Sequence, residues 1–336
     1  RPVHERSDIR FSDLTTLRLG GPAGRFIDAR SEEEAIAALE SATGPLLVMS
    51  GGSNLVVSDE GFAGTVVRIA NRGVETDGER VTVAAGEPWD GFVALCIEQG
   101  FAGVESLSGI RGSAGATPIQ NVGAYGQDVS QTIASVRVYD RSLGSVTELA
   151  PADCGFGYRT SALKGSDRYL VLSVTFGLAR SGRPGPVRYA ELARTVSEEP
   201  SLAEIREAVL SLRRRKGMVI DPDDPDSISA GSFFVNPILS AEDFGALAEH
   251  ERPPSWPEPD GRVKTSAAWL IEHAGFGRGF GNGNVGISSK HTLALINRGG
   301  ATTAELLALA RELRDGVRER FGVELQVEPT LVGVEL

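Results

Sequence analysis

The sequence predicts an α+β protein with two domains, and three observations support this class. The chain has 336 residues, which exceeds the usual size of a single domain. Short runs rich in Val and Thr, typical of strands, alternate with amphipathic stretches typical of helices. The acidic, proline-broken segment Asp221–Ser227 follows a long helical pattern and indicates a boundary. We therefore expect a first region over residues 12–219, with subdomains at about 12–78 and 79–219, and a C-terminal domain over 220–336.

The first region begins with a small unit of one helix and two strands. Ser31 is the expected N-cap of a helix over Ser31–Leu39, because Glu34 three residues later completes a capping box. Leu46–Met49 and Thr65–Ile69 are apolar runs that predict strands. Further along, the pattern predicts helices at Trp89–Gln99 and Leu202–Lys216, and strands at Arg80–Ala85, Ala134–Tyr139, Ser145–Leu149 and Tyr169–Phe176.

The C-terminal domain is expected to combine two helices with a final strand. Helices are predicted at Ser266–His273 and Thr303–Phe321, with a strand at Leu293–Asn297 between them. The punctuated stretch Arg252–Gly261 is expected to be an exposed loop. Alternating apolar residues from position 323 predict a last strand, within about 323–336, that packs back on the first region.

Composition and charge limit the possible functions. Hydrophobic residues make up 41% of the chain and charged residues 24%, as in globular proteins, and no apolar run approaches the ~20 residues of a membrane span. The net charge of −11 argues against nucleic acid and anionic membranes as partners. Cys96 and Cys154 fit a reducing compartment, and the start of the chain shows no signal-peptide pattern, so a cytoplasmic location is expected. The four histidines lack metal-ligand spacing, so no metal site is expected.

Two glycine-rich blocks are the most informative features of the sequence. The stretch Ser106–Asp128 can expose backbone N–H groups that bind phosphate oxygens, and its Gln120 and Asn121 amides could read the edge of a heterocycle. The second block, Ser50–Asn54, lies between two apolar runs. A solvent loop and a hairpin turn, respectively, are the plainer alternatives. Together the blocks predict a bipartite cradle for a dinucleotide, formed by Ser50, Gly51, Gly52, Ser53, Asn54, Gly109, Gly112, Ser113, Gly115, Ala116, Gln120, Asn121, Gly123, Ala124, Tyr125 and Gly126.

Three further motifs follow these blocks in order. They are Gly157-Tyr158-Arg159, the motif Ala230–Pro237, and the terminal pair Glu328-Pro329. The whole set resembles the UDP-N-acetylenolpyruvoylglucosamine reductase (MurB) family, in the subtype with a tyrosine-bearing loop, over about residues 15–334. The resemblance implies a two-subdomain FAD-binding fold of the vanillyl-alcohol-oxidase (PCMH) type plus a C-terminal substrate domain. It also implies a monomeric enzyme that uses FAD and NADPH to reduce UDP-N-acetylglucosamine enolpyruvate to UDP-N-acetylmuramate in peptidoglycan precursor synthesis.

The resemblance assigns catalytic roles to three residues. Arg159 would hold the substrate carboxylate and stabilise an enolate-like centre, with Glu328 as its partner, and Ser232 would donate the proton to the α-carbon. Without the resemblance, these three residues look like a surface arginine, a strand-end carboxylate and a turn serine. Another flavin oxidoreductase of the same fold, or a catalytically silent FAD- or nucleotide-binding module, is the alternative.

Substrate contacts are likewise implied by the resemblance. The residues concerned are Tyr189, Lys216, Asn236, Lys290 and His291. The charged run Arg213–Lys216 also fits a solvated helix end that complements the helix dipole. Two departures from the family pattern stand out. Arg111 stands where the family usually has proline, and the segment 221–228 is longer and more acidic than expected.

Overall fold

A computed structural model describes residues 4–336. In chain order the strands are β1 (His4–Arg6), β2 (Ala23–Ala29), β3 (Leu46–Met49), β4 (Leu55–Val57), β5 (Phe62–Ile69), β6 (Val74–Asp77), β7 (Arg80–Ala84), β8 (Gly123–Ala124), β9 (Gln127–Asp128), β10 (Ile133–Asp140), β11 (Ser145–Leu149), β12 (Tyr169–Gly177), β13 (Ser229–Ser232), β14 (Ile238–Leu239), β15 (Ser255–Pro257), β16 (Val263–Thr265), β17 (Val285–Ile287), β18 (Ala294–Asn297) and β19 (Thr330–Val332). The helices are α1 (Glu32–Ser41), α2 (Trp89–Glu98), α3 (Ala190–Ala193), α4 (Leu202–Arg215), α5 (Ala241–His250), α6 (Ala267–His273) and α7 (Thr303–Phe321).

The chain divides into two compact units. The first unit contains residues 4–9, Ala23–Gly52 and Ala63–Val219. The second unit contains Arg10–Pro22, Ser53–Phe62 and Ile220–Leu336. Two short early segments are therefore built into the second unit, although the sequence-based division assigns them to the first region. The proposed subdomain boundary near residue 78 falls in the turn between β6 and β7, which pair in one sheet.

The first unit contains two larger sheets. One has the strand order β1-β2-β5-β3, and the other the order β11-β10-β12-β7-β6. Strands β3 and β5 pair in parallel, and the chain between them passes through β4 rather than through a helix. Ser31 caps α1 by accepting the Glu34 amide at 3.2 Å, which confirms the predicted N-cap. The Glu34 carboxylate accepts the Arg30 amide rather than that of the cap residue.

A large apolar core joins the two sheets of the first unit. It joins side chains of both sheets, such as Ile27 and Val174, to the buried face of α2. The rings of Trp89, Phe92 and Phe176 lie with centroids 5.4–5.7 Å apart at its centre. Because α2 is anchored in this way, the glycine-rich stretch that follows it starts from a rigid element.

The second unit is organised around α7. Its apolar stripe, which includes Leu306, Ala310 and Leu313, is buried against residues of α6 and β17. Thr302 and Glu305 form the reciprocal capping box that the sequence predicts. The Asp59 carboxylate accepts the first two amides of the helix, at 2.8 and 3.0 Å. The early segment Ser53–Phe62 thus stabilises the start of a helix near the end of the chain.

Two predictions about the second unit differ in detail from the structure. Residues 323–326 are not in a strand and Val327 forms only an isolated bridge with Phe234, although Val323 and Leu325 are buried as their alternation suggests. The last strand is β19, which lies within the predicted range 323–336 and pairs in parallel with β4. The stretch Arg252–Gly261 is not entirely loop, since β15 lies within it and pairs with β16. An exposed edge strand has too little apolar alternation to be recognised in a sequence.

Candidate active site

The two glycine blocks meet in the first unit. A Cβ atom on Gly51 would lie 3.0 Å from the Cα of Gly112, so two main chains approach here as closely as glycine allows. The block at 50–54 is not a hairpin turn, because β3 pairs with β5 while β4 pairs with β19. The Ser50 hydroxyl donates to the Ile69 carbonyl at 3.0 Å and fixes the end of β3. The two blocks come together at Gly51 and Gly112, and their binding of a dinucleotide stays a prediction.

Much of the glycine-rich stretch is used to hold itself in place. The Gly109 amide donates to Asp90 at 2.6 Å, the Gly115 amide to the Ala85 carbonyl, and the Ala116 amide to the Ser113 carbonyl. A Cβ on Gly115 would lie 2.4 Å from the Ala85 side chain, so this glycine is required by packing. These three amides are therefore not available to a ligand.

The tip of the block has the properties of a ligand site. Ser113 is buried, and within residues 4–336 its hydroxyl has no hydrogen-bond partner. A buried polar atom without a partner is costly, which indicates that a ligand completes its hydrogen bonding. Arg213 adds positive charge beside Gly109, and burial lowers the pKa of its guanidinium. A local cation next to a backbone cradle is suited to a phosphate ligand in an otherwise acidic protein.

Asp90 supports this block, and its role was not recognised in the sequence. Its carboxylate binds the Arg206 guanidinium through two bonds of 2.6 and 2.9 Å, in addition to the Gly109 amide. Burial alone would raise the pKa of Asp90, but the hydrogen bonds from Arg206 and Gly109 outweigh it and hold the pKa below its ordinary value. The signal for this role in the sequence was the opposite charge of Asp90 and Arg206, which lie on the two helices α2 and α4.

The loop 120–128 forms a tight hairpin. Strands β8 and β9 are joined by Tyr125 and Gly126, which both have positive φ, at 50° and 85°. This is the backbone of a two-residue hairpin turn that favours glycine, so Tyr125 is held in an uncommon conformation. The Asn121 side chain donates to the Gly157 carbonyl and accepts the Ser130 amide, at 3.1 Å each. The Asn121 side chain therefore uses one donor and one acceptor contact to position the loop.

Arg159 lies against the same loop. It has a φ of 54° and follows Gly157 in a tight turn closed by bonds between Gly157 and Thr160. Its guanidinium donates to the Gly123 carbonyl at 2.5 Å and stacks on the Tyr158 ring at 5.2 Å. The Gly-Tyr-Arg motif and the glycine-rich stretch are thus parts of one structure in the first unit.

Tyr189 and Lys216, two predicted substrate contacts, are brought together beside Tyr125. The two tyrosine rings meet edge to face with centroids 5.3 Å apart, and the Lys216 ammonium lies 5.7 Å from the centre of the Tyr125 ring. Burial raises the pKa of both phenols, and the charge of Glu191 adds to the effect on Tyr189. Lys216 donates to the Glu191 carboxylate at 2.8 Å, so it is not simply a solvated helix end.

In the second unit, Ser232 and Glu328 lie on neighbouring segments. The Glu328 amide donates to the Phe233 carbonyl at 2.9 Å, directly after Ser232. Strand β13 carries a bulge before Ser232, at Gly231, which has a φ of 78°. A bulge changes the direction of the side chain that follows it, and such bulges are common beside active sites. Glycine in the motif is therefore required by the backbone that presents Ser232.

Two asparagines predicted to contact ligands support the backbone of the second unit. The side-chain oxygen of Asn236 accepts the backbone amide of Ala267 at 3.0 Å, at the start of α6. The side-chain amide of Asn54 donates to the backbone carbonyl of Glu328 at 3.4 Å, and the backbone amide of Thr330 donates to the backbone carbonyl of Asn54. Asn54 thus helps to hold the segment that carries Glu328. Each side chain has a structural use that a motif alone does not reveal.

Lys290 and His291 follow Ser288 in a loop that the acidic segment covers. Lys290 pairs with Asp224 at 2.8 Å, and this hydrogen bond raises the pKa of the lysine. The buried Asp226 carboxylate accepts both the amide and the hydroxyl of Ser289. The Ser288 hydroxyl accepts the amides of Lys290 and His291. The unexpected acidic segment is therefore an internal partner of this loop.

None of the helices in residues 4–336 combines the length and apolar character needed to cross a membrane. Within the same residues, no cluster of three or more His, Cys, Asp and Glu side chains is arranged to hold a metal ion. Both cysteines are buried, and burial raises the pKa of the Cys96 thiol to about 12.

Comparison with known proteins identifies relatives of the whole chain. A family model for the C-terminal domain of UDP-N-acetylenolpyruvoylglucosamine reductase matches residues 223–332, and a model for an FAD binding domain matches residues 23–150. The reductase of that name from Thermobifida fusca (strain YX) is 56% identical, with 98% of each chain covered. The one from Streptomyces coelicolor is 54% identical and covers 100% of this chain and 92% of the relative.

A solved structure shows the same likeness in three dimensions. UDP-N-acetylenolpyruvylglucosamine reductase from Thermus caldophilus superposes with a TM-score of 0.70 at 26% identity, with 98% of this chain and 99% of that chain covered. Together with the FAD-binding-domain match, this confirms the predicted fold class, an α+β FAD-binding fold followed by a C-terminal substrate domain.

Proposed function

Because the chain belongs to the UDP-N-acetylenolpyruvoylglucosamine reductase family, we propose that it reduces UDP-N-acetylglucosamine enolpyruvate to UDP-N-acetylmuramate, with FAD as cofactor and NADPH as reductant. The observation that carries the proposal is the presence of both domain matches on one chain that aligns with its relatives over nearly full length. This reaction supplies a precursor for peptidoglycan.

Residues of the first unit fit the binding of FAD. The close approach of Gly51 to Gly112 and the buried Ser113 hydroxyl support a phosphate cradle, with Arg213 as a nearby cation. FAD, when bound, would supply the hydride for the substrate double bond. No His or Cys lies in either glycine block, so the cofactor is expected to be bound non-covalently. The remaining predicted FAD contacts, in Ser50–Asn54 and Gly109–Gly126, are part of this proposal.

Arg159 is proposed to hold the substrate carboxylate. Reduction of an enol ether beside a carboxylate builds negative charge on the carboxylate side, and a guanidinium in a fixed orientation stabilises that charge. The bond from Arg159 to the Gly123 carbonyl and the tight turn around it support such a fixed orientation. Glu328 is proposed as the carboxylate partner in the acid–base set.

Ser232 is proposed to deliver the proton to the α-carbon. A hydroxyl is a weak acid, so its neighbours must polarise it for this role. The bulge at Gly231 and the backbone bond between Glu328 and Phe233 support a defined placement of the Ser232 side chain. The presence of such residues favours an enzyme over a catalytically silent binding module.

The UDP end of the substrate is proposed to contact Tyr189 and Lys216, with Asn236, Lys290 and His291 as further contacts. The meeting of Tyr189, Tyr125 and Lys216 in the first unit supports the first pair. We further propose that the protein acts as a monomer in the cytoplasm, without nucleic acid or membrane partners, in keeping with its net charge of −11.

A visible spectrum of the purified protein tests this function. NADPH should bleach the flavin absorption under anaerobic conditions, and the enolpyruvyl substrate should then restore it without oxygen. Acid precipitation should release free FAD. A protein that stays colourless after incubation with FAD would contradict the cofactor assignment. Bleaching without recovery would favour a flavin oxidoreductase with a different substrate.

A further inference from the structure

Lys216, proposed above to meet the substrate diphosphate, already has an anionic partner in this chain. Its ammonium lies 2.8 Å from a carboxylate oxygen of Glu191. The two side chains are 33% and 42% exposed, so solvent and a ligand can reach the pair. An anionic ligand that approaches Lys216 must therefore compete with Glu191.

The position of Glu191 is fixed by the residue next to it. Glu191 lies in α3, whose Leu192 is completely buried among Ile205, Val209 and Leu212 of α4. The backbone is thus anchored while the carboxylate extends to the end of α4. The side chain, rather than the helix, is what a ligand would have to displace.

The segment that leads into α3 also carries a residue of the proposed site. Tyr189 immediately precedes α3, its side chain is 42% exposed, and its ring meets that of Tyr125. A Cβ on Gly126 would lie 3.7 Å from the Cβ of Tyr189, so this segment also touches the hairpin turn. Glu191, which contacts Lys216, and Tyr189, which contacts Tyr125, therefore lie in one short segment that includes α3.

The strengths of the two interactions favour exchange. A partly exposed ion pair contributes little free energy, because water screens it and both side chains lose entropy. A diphosphate carries more charge than one carboxylate and offers several oxygens, so it can replace Glu191 without leaving the lysine unpaired.

We propose that Glu191 is an internal competitor that occupies Lys216 until the diphosphate of a UDP-linked ligand displaces it. This inference rests on the function proposed above. It gives Glu191 a positioning role, since it acts on the ligand only through Lys216. Its effect is to lower the affinity of every anion that binds through Lys216 by the free energy of the ion pair that the anion replaces.

UDP is a suitable probe because its binding to the oxidised, FAD-loaded protein requires no turnover. Calorimetry at fixed ionic strength should show that Glu191→Gln binds UDP about two- to fivefold more tightly than the unchanged protein, the range of one partly exposed ion pair. Glu199→Gln is the matched control. Glu199 makes a highly exposed ion pair with Arg183 at 3.7 Å in the same unit, so its loss should leave UDP affinity unchanged.

A double variant separates competition from a general change in charge. In a Lys216→Ala background, Glu191→Gln should give no further gain in UDP affinity. A gain of the same size in that background, or weaker or unchanged UDP binding by Glu191→Gln alone, would overturn the inference. UDP binding without the expected gain would leave the proposed function intact. Absence of UDP binding, together with failure of the enolpyruvyl substrate to reoxidise the reduced flavin, would overturn both.

Discussion

The two units differ in which part of a residue carries their proposed chemistry. In the first, main chains come together at Gly51 and Gly112, and a hairpin holds its turn residues at positive φ. In the second, a bulged strand and an adjacent segment present the side chains of Ser232 and Glu328. Sites made of backbone require glycine, so composition reveals them. Sites made of single side chains depend on register, which composition does not show.

The largest expected effect comes from Ser232→Ala, which tests the role of the second unit. Loss of a general acid should slow reoxidation of the reduced flavin by substrate about 10²–10⁴-fold. Bleaching by NADPH should remain near normal, because that step needs no proton at the substrate carbon. Stopped-flow absorbance measures both. Ser255→Ala, an exposed strand serine of the same unit, is the control. Equal loss in both half-reactions would indicate a flavin-site or folding defect instead.

Substitution of one lysine in each unit, Lys216 in the first and Lys290 in the second, compares their contributions to substrate affinity. Lys216 faces one carboxylate and the Tyr125 ring, whereas Lys290 is paired with Asp224 beside further aspartates of the acidic segment. Lys216→Ala should weaken UDP-sugar binding by about 1–3 kcal/mol, the value of a charged hydrogen bond. Lys290→Ala should change substrate affinity less, since that lysine already stabilises its own loop.

Single-turnover reoxidation of pre-reduced flavin across a substrate series gives both apparent affinities. Unchanged affinity in Lys216→Ala would support the interpretation of Arg213–Lys216 as a helix end without ligand contact. A larger effect in Lys290→Ala than in Lys216→Ala would place the diphosphate contact in the second unit.

The smallest effect concerns the support of the backbone site. Asp90→Asn should lower the free energy of unfolding by about 1–2 kcal/mol at pH 7, because Arg206 loses its charged partner. The pKa of Asp90 is held below its ordinary value, so this stability is present above about pH 4 and is lost as the pH falls through the lowered pKa. Urea unfolding should show a smaller difference in the free energy of unfolding between the unchanged protein and Asp90→Asn at pH 3.5 than at pH 7. Asp260→Asn, an exposed carboxylate, should leave pH 7 stability nearly unchanged.

Much of the local structure follows from the sequence. The caps at Ser31 and Thr302 and the helices they start depend on neighbours within one turn, so a linear pattern contains all the information. Strands β10–β12 are recognisable because their apolar residues face a large core. The proximity of the two glycine blocks could also be anticipated, since both are typical of nucleotide-binding loops.

The remainder depends on contacts between distant residues. The pairing of β4 with β19 joins residues about 275 positions apart, and nothing in either short strand specifies its partner. Asn121 and Asn236 look like ligand contacts in a motif. The Asn121 side chain, however, accepts the backbone amide of Ser130, and the Asn236 side chain accepts the first backbone amide of α6. Glu191 and Asp90 escaped notice because a single carboxylate on a helix is usually solvated.

The second unit is assembled from three separate segments of the chain, and this affects how it can fold during synthesis on the ribosome. Residues 53–62 leave the exit tunnel long before their partners, since about 160 residues separate them from position 220. Leu55–Val57 precedes its partner strand β19 by about 275 residues, so at roughly 5–20 residues per second it waits about 14–55 s for that strand. The first unit has all its segments once Val219 emerges, so it can fold while the nascent chain is still growing. The second unit can be completed only after β19 has emerged, and until then β4 is an apolar strand without its partner.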